Sequence, residues 1–381
     1  MNFDLSETQT LIRDTARKFA REVVAPRARQ VDREEIFPTE VFRQMGELGL
    51  LGVNVPSEYG GSEAGVVSYS LAVMEIAAAC ASTSVGMCVT NMCAELICQF
   101  GTDAQKQRFV PKLVSGESIA GAFALSEAHA GSDPGAGTTT AVKKGDRWVI
   151  NGSKQWITSG AYAGVMVVWA RTSAEGNKGL SCFLVEKGTP GLTIGRAEEK
   201  MGLRGSNTVP LLFENCEVPD DHLLGRQGDG FKLAMVALDG GRIGIASQAC
   251  GVARAAIEAS VKYVKDRHAF GHAIGDFQAL RFMLADMTTQ QQTAELLTWR
   301  AATLKEQKTP FTREASMAKL FASEMSNRVC DKAVQLHGGY GYIDEFPVER
   351  YLRDARVQTI YEGTSEIQRI VIAREVIKAA G

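Results

Sequence analysis

Ala122-Phe123-Ala124-Leu125-Ser126-Glu127-Ala128-His129-Ala130-Gly131-Ser132-Asp133 is the stretch at which the chain changes its repeat. Before Gly121 apolar residues recur about every 3.6 positions, the helical period. After it they alternate with a period of about 2, the strand period. The stretch itself reads as a strand end running into a loop of small and hydroxyl-bearing residues. Such a loop offers backbone N–H groups and hydroxyls to an anion or to the polar edge of a ring.

Upstream, residues up to about 120 read as helices. Ser6 caps a first helix with Leu11, Ile12, Ala16, Phe19, Ala20 and Val23 on one face, and Pro26 disturbs its end. A short helix is expected over 39–51. Segments 66–80 and 84–100 are apolar nearly all round, which predicts buried helices. Gly101 stops the second, and Thr102 with Gln105 makes a capping box for the next.

Downstream, strands are expected over 122–126, 139–142, 148–151, 155–158, 165–170, 181–185, 192–194 and 210–213. Gly145-Asp146, Asn151-Gly152 and Pro190-Gly191 mark turns, and Asn-Gly between two short strands predicts a hairpin. This predicts a compact antiparallel sandwich or barrel of about a hundred residues. From Gly230 the helical period returns: from 231 to about 267, from 274 past Trp299, from about 312 to 336, and again after Ser365. The fold class expected is therefore α+β in three domains, a helical one over 1–120, a β one over 121–228 and a helical one over 229–381.

Composition narrows the function. The chain has 381 residues and a formal net charge of -2, so it carries no electrostatic footprint for nucleic acid or an anionic membrane. No apolar run reaches the roughly 18 residues of a spanning helix, so no membrane insertion is expected. Met1-Asn2-Phe3-Asp4-Leu5-Ser6 lacks a basic and then apolar leader. The expected location is the cytoplasm of a bacterium, or the mitochondrial matrix for a mature eukaryotic form. Eight cysteines are scattered without a C-x-x-C pair, which predicts buried reduced thiols. There is no G-x-G-x-x-G after a strand, no P-loop, no H-E-x-x-H and no G-x-S-x-G. His268 and His272 are four apart, but Gly271 and a helix end between them spoil a shared face, so no metal site is expected.

Three further stretches carry chemistry. Trp156-Ile157-Thr158 sets an indole beside a hydroxyl, which suits a flat aromatic ligand. Asp239-Gly240-Gly241-Arg242 puts two glycines inside a long helix, a cost of about 2 kcal/mol relative to alanine. Something approaches that backbone, and Asp239 and Arg242, three apart, bond each other or a polar ligand. In Tyr361-Glu362-Gly363-Thr364-Ser365-Glu366-Ile367-Gln368-Arg369 a carboxylate precedes a glycine, and Ser365 with Gln368 reads as a capping box. Glu362 then stands on a tight turn at a helix entrance, a stiff mount for a general base.

With Arg267, Phe270-Gly271, Gln335-Leu336-His337-Gly338-Gly339 and Arg353-Asp354-Ala355-Arg356, these stretches resemble the acyl-CoA dehydrogenase family from the first helix to the last. Segment 239–248 is most similar to the short-chain, butyryl-CoA-type members. The resemblance implies that family's fold, with a four-helix-bundle-like C-terminal domain. It implies bound FAD and removal of hydrogens from Cα and Cβ of an acyl-CoA substrate, giving the trans-2-enoyl-CoA, with electrons passed to an electron-transfer flavoprotein. It also implies a homotetramer built as a dimer of dimers.

By the same resemblance Glu362 is the base for the α-proton. An unperturbed Glu, near 4.3, is a poor base for this, and burial would raise it. The thioester carbonyl is polarised by the backbone N–H of Glu362 and a ribityl hydroxyl. Phe123, Leu125 and Ser126 face the flavin's pyrimidine edge, and Trp156 and Thr158 face its ring. Arg267, Phe270, Gln278, Gln335 and Gly339 hold the pyrophosphate and adenosine of a neighbouring subunit's FAD. Thr364 and Glu366 touch cofactor beside the base. Ser132, Asp239, Arg242 and Gly363 meet the substrate, Gln248 floors the acyl pocket, and Tyr361 crowds acyl groups branched near the reacting carbons. Glu366 stands where many members have Gln, and His129 where a small residue is usual. The alternatives are a branched- or cyclic-acyl-CoA dehydrogenase, an acyl-CoA oxidase, and a non-catalytic flavin- or acyl-CoA-binding subunit.

Overall fold

A computed structural model of the chain describes residues 4–380. Met1, Asn2 and Phe3, on which part of the leader reading rests, and Gly381 lie outside the described residues.

The N-terminal helices follow the sequence closely. Ser6 and Gln9 form the capping box of α1 (Glu7–Phe19), each side chain bonded to the other's backbone N–H at 3.2 and 2.9 Å. The helical path is disturbed just before Pro26, as expected, but continues past it. It widens into a π turn over Ala20–Val24 and resumes as α2 (Ala25–Arg33) with Pro26 in its first turn. The wider turn makes room for a ring that donates no hydrogen bond. Leu11, expected on the apolar face, is exposed. After α3 (Thr39–Glu47), α4 (Val66–Ala79) and α5 (Ala81–Phe100) are buried along nearly their whole length, and α6 (Asp103–Val114) carries the Thr102–Gln105 box.

The middle sheet corrects two expectations. It is mixed, because β1 (Ala120–Ala124) and β2 (Thr140–Lys144) both pair parallel with β4 (Ala163–Arg171). Asn151-Gly152 is not a hairpin: β3 (Arg147–Thr158) runs through it as a single strand. Gly152 sits at φ 140° in a register shift against β7 (Thr208–Pro219), and a side chain there would lie 2.7 Å from the Thr139 Cα. The glycine is needed for a close backbone approach inside the sheet, and Asn151 Oδ1 accepts from the Asn215 N–H at 2.8 Å. With β5 (Leu180–Glu186), β6 (Leu192–Ile194) and β8 (Leu223–Leu224) the order is β6-β7-β3-β2-β4-β5-β8.

The C-terminal part is built on α7 (Gly230–Asp266), where every residue from 241 to 253 is buried. A two-residue hairpin, β9 (His268–Ala269) with β10 (His272–Ala273), leads to α8 (Gln278–Glu306) and α9 (Thr312–His337), which share one core with α4, α5 and α7. The sequence reading missed α10 (Val348–Arg356), and α11 (Ser365–Ala379) closes the fold. No helix of the described residues is long and apolar enough to cross a membrane.

One joint ties the three parts together. Arg353 on α10 bonds both oxygens of Asp32 on α2 at 3.0 and 2.6 Å, both oxygens of Glu349, and the Met201 carbonyl. Its neighbour Asp354 accepts the Leu203 N–H at 2.6 Å, and burial pushes that carboxyl up to about 7. Arg353 is partly exposed, so its loss costs less than the 3–5 kcal/mol of a fully buried pair. Arg353→Met should lower the unfolding free energy by about 2 kcal/mol, read from urea titration. An unchanged midpoint would mean the joint carries no stability.

Candidate active site

The turn before α11 is conformationally expensive. Glu362 lies at φ 50° and Gly363 at φ 90°, and the left-handed region costs a non-glycine residue about 1 kcal/mol or more. Two side chains hold it. Gln368 Nε2 donates to the carbonyls of Gly363 and Glu362 at 2.9 and 3.3 Å, and Lys319 Nζ donates to the Gly363 carbonyl at 2.7 Å. The cap itself is Thr364, whose hydroxyl accepts the Ile367 N–H at 3.3 Å. Ser365, expected as the cap, is already inside the helix and buried, because Thr364 is the last residue in extended conformation.

This turn aims Glu362 at α7. A side-chain carbon at Gly241 would come within 2.2 Å of Glu362 Oε2 and 3.2 Å of Met92 Sδ. The glycine pair in α7 thus makes room for the carboxyl, and Gly240 does the same for Lys305 Nζ. Glu362 Oε2 is buried and accepts no hydrogen bond from any of the described residues. Loss of water pushes the carboxyl up to about 7, against the pull of Lys319 first and Arg242 second. Asp239 and Arg242 bond each other at 2.5 Å, and Ser316 Oγ and Thr312 Oγ1 complete the pair. Arg242 Nε is buried without a partner among the described residues.

Tyr361, beside Glu362, pairs with Gln248, seven residues beyond Gly241 on α7. The Tyr361 hydroxyl donates to Gln248 Oε1, while Gln248 Nε2 donates to the Ala81 carbonyl and Ser84 Oγ at 3.0 Å each. A cavity of about 300 Å³ opens beside Gly241, lined by Tyr69, Met92, Leu96, Gly240, Lys305 and Phe311.

A second group gathers at the end of β1. Lys154, buried in β3, donates to the Leu125 carbonyl at 3.1 Å and to Glu127 Oε1 at 2.8 Å. Burial would raise the Glu127 carboxyl, but Lys154 and the Thr138 and Thr139 N–H groups hold it down to about 2. The Gln155 N–H donates to the Ser126 carbonyl at 2.9 Å, which sets Trp156 beside Leu125 and Ser126. Trp156 lies at φ 64° in a second register shift of β3 and exposes 60% of its surface. Thr158 pairs with Thr208, and Phe123 packs its ring 4.3 Å from Trp169.

Other expected residues stand apart. Arg267, Phe270, Gln278, Gln335 and Gly339 are exposed, and among the described residues none bonds the Glu362 group. Phe270, at φ 54° on the β9–β10 hairpin, is 91% exposed, and Arg267 lies over the Tyr340 ring at 5.4 Å. Ser132 is exposed in an open loop. Glu366 lies in the first turn of α11, where backbone hydrogen bonding and the Thr364 hydroxyl lower its carboxyl. No group of three His, Cys, Asp or Glu that could hold a metal exists among the described residues. The sequence reading missed Lys319 and Lys154. Their signal was a lone lysine in an otherwise small or apolar buried pattern, as in Ala315, Ala318 and Ala322 around Lys319.

Comparison with known proteins then bears on the whole chain. Models of the acyl-CoA dehydrogenase N-terminal, middle and C-terminal domains match residues 6–117, 122–216 and 228–377. The short-chain specific acyl-CoA dehydrogenase of Rattus norvegicus mitochondria is 50% identical over 378 residues, 99% of this chain and 92% of its own. The solved butyryl-CoA dehydrogenase of Megasphaera elsdenii superposes with a TM-score of 0.97 at 42% identity, covering 99% of this chain and 100% of its own. A chain solved in work on the electron transferring flavoprotein of Acidaminococcus fermentans superposes at 0.98 with 45% identity, covering 99% of this chain and 100% of its own.

The Glu362 geometry has a consequence for stability. A carboxyl raised on folding from 4.5 to about 7 favours the folded state below its unfolded value and loses that contribution as pH rises through the folded one. Glu362→Gln should therefore be more stable than the parent at pH 8, by a margin that shrinks towards pH 4.5. Asp354, raised in both proteins, cancels in the difference. Melting temperatures of the two across pH check this, and a constant margin would refute the burial of the charge.

Proposed function

The chain belongs to the acyl-CoA dehydrogenase family, and we propose that it oxidises a short straight-chain acyl-CoA, of butyryl size, to the trans-2-enoyl-CoA. The observation that carries this is Glu362: a half-buried residue whose Oε2 is buried and without a partner among the described residues, its carboxyl raised to about 7, facing a glycine at the rim of a cavity. A base near the working pH is both deprotonated and strong enough to take a weakly acidic α-proton. The proton goes to Glu362 Oε2. The Glu362 N–H faces the thioester carbonyl and polarises it. Arg242, Asp239, Ser132 and Gly363 hold the rest of the CoA thioester.

FAD fits the second group. An exposed indole on a bulge, beside a loop of backbone groups locked by Lys154, is a ready platform for a flat ring with a polar edge. In this reading Phe123, Leu125, Ser126, Trp156 and Thr158 hold the ring, with Thr364 and Glu366 beside it. The exposed Arg267, Phe270, Gln278, Gln335 and Gly339 serve the FAD of a neighbouring subunit in a homotetramer. FAD supplies the acceptor for the β-hydrogen and its electron pair, and an electron-transfer flavoprotein takes the electrons onward. We divide the chain into domains at 1–120, 121–228 and 229–381. We place the enzyme in the bacterial cytoplasm or, for a eukaryotic form, the mitochondrial matrix.

Chain length follows from Gln248. Both its amide hydrogens and its oxygen are bonded, to Ala81, Ser84 and Tyr361, so moving it aside for a longer tail leaves buried polar groups unpaired, at about 1–3 kcal/mol. Anaerobic titration with butyryl-CoA should bleach the oxidised flavin band at stoichiometric addition. Glu362→Gln should bind the thioester without bleaching. Gln248→Ala should raise kcat/KM for dodecanoyl-CoA relative to butyryl-CoA by about tenfold. A parent that turns over both thioesters equally refutes the short-chain reading, and a protein that takes up no flavin refutes the whole.

A further inference from the structure

We propose that Lys319 is a positioning residue for Glu362: bonded to the Gly363 carbonyl, its ammonium fixes the turn and supplies the positive charge that keeps the base ready to accept a proton. This rests on the reading of Glu362 as the base.

Lys319 lies in the first third of α9 and is fully buried. Its surroundings on that helix are small: Ala315, Ser316, Ala318, Ala322 and Ser323, all buried. An ammonium in such a place costs several kcal/mol unless a charge or hydrogen bonds offset it. Among the described residues no carboxylate oxygen comes within ion-pair distance of its nitrogen, and its hydrogen-bond partner is the Gly363 carbonyl at 2.7 Å. Holding that carbonyl needs no charge, because Gln368 Nε2 already donates to it at 2.9 Å. The charge must therefore be explained by what it faces.

Four charged groups face it: Glu362 on the turn, Arg242 from α7, Glu366 from the first turn of α11, and Glu324 on its own helix. Burial brings the Lys319 amine down to about 8, and the Glu362 carboxylate is the largest influence opposing that. Arg242 is largely neutralised by Asp239 at 2.5 Å, and Glu324 is engaged by Arg369 at 2.6 Å. Lys319 is thus the cation whose charge reaches Glu362 least diminished. Without it, only the weaker pull of Arg242 opposes burial, and the carboxyl is lifted further above neutrality. The fraction of enzyme in the proton-accepting form at neutral pH then falls.

The test compares Lys319→Met, Lys319→Gln and Lys319→Arg holoenzymes with the parent, each checked for flavin content. Removing the charge should move the acid limb of the kcat profile upward by about one pH unit, with KM for butyryl-CoA within about twofold. Lys319→Arg should keep the limb of the parent. A limb that stays put in both neutral variants overturns the proposal, as does one that moves equally in Lys319→Arg. Should the neutral variants not fold, lysine side-chain nitrogen resonances of the parent holoenzyme decide. A resonance that follows the titration of Glu362 and loses that step in Glu362→Gln supports the coupling, and the absence of any such resonance overturns it. Full turnover in Glu362→Gln would defeat the base reading itself, whereas an inactive Glu362→Gln with an unmoved limb defeats only the role of Lys319.

Discussion

A carboxylate shut away from water against the backbone of a helix is the constraint on which the site depends. Glu362 reaches α7 only because Gly241 has no side chain, and its Oε2 is buried there without a hydrogen-bond partner among the described residues. Both conditions work in the same direction. Desolvation strengthens the carboxylate as a base, and the missing partner leaves a lone pair free for a substrate proton. Two glycines in a helix, a residue at positive φ and a buried ammonium are each unfavourable taken singly. Together they form one arrangement in which each is required by the others.

The two halves of the site are built on the same device. Behind the Leu125–Ser126 loop, Lys154 reaches a backbone carbonyl from a buried position in a strand. Behind the Glu362–Gly363 turn, Lys319 reaches a backbone carbonyl from a buried position in a helix. The two differ in what balances the charge. Lys154 has Glu127 in direct contact, so the pair is internally neutral and serves the loop's geometry. Lys319 has no such neighbour among the described residues, and its field extends to Glu362. Loops are mobile by default, and here each is tied from behind by a buried lysine.

The scaffold explains why these ties hold. α7 is buried from 241 to 253 and packs against α4, α5, α8 and α9, so the glycines, Arg242 and Gln248 sit on an element with no freedom to shift. The Arg353 joint binds the N-terminal helices and the Met201–Leu203 segment to α10, a few residues before the Glu362 turn. The chain that carries the base is therefore fixed on both sides, by the joint before it and by the Thr364 cap after it.

Much of this was legible from residue order. The change of period near Gly121 and its return near Gly230 separate helices from sheet because side-chain direction repeats differently in the two. The Ser6 cap and the Thr102 box formed as read, since capping is decided by residues three apart. The glycine pair signalled a close approach, and Glu362 before Gly363 signalled a turn. What the sequence could not decide were matters of partners distant along the chain. Asn151-Gly152 is a bulge rather than a hairpin because Thr139 occupies the space beside it. β1 and β2 run parallel to β4 because of the path taken between them. That the group approaching Gly241 is Glu362, and that a buried lysine stands behind it, are facts about residues over forty or a hundred positions apart. Local order determines elements and turns through short-range sterics and hydrogen bonds. Only the folded core, by excluding water and bringing remote charges together, determines how those residues titrate and what they do.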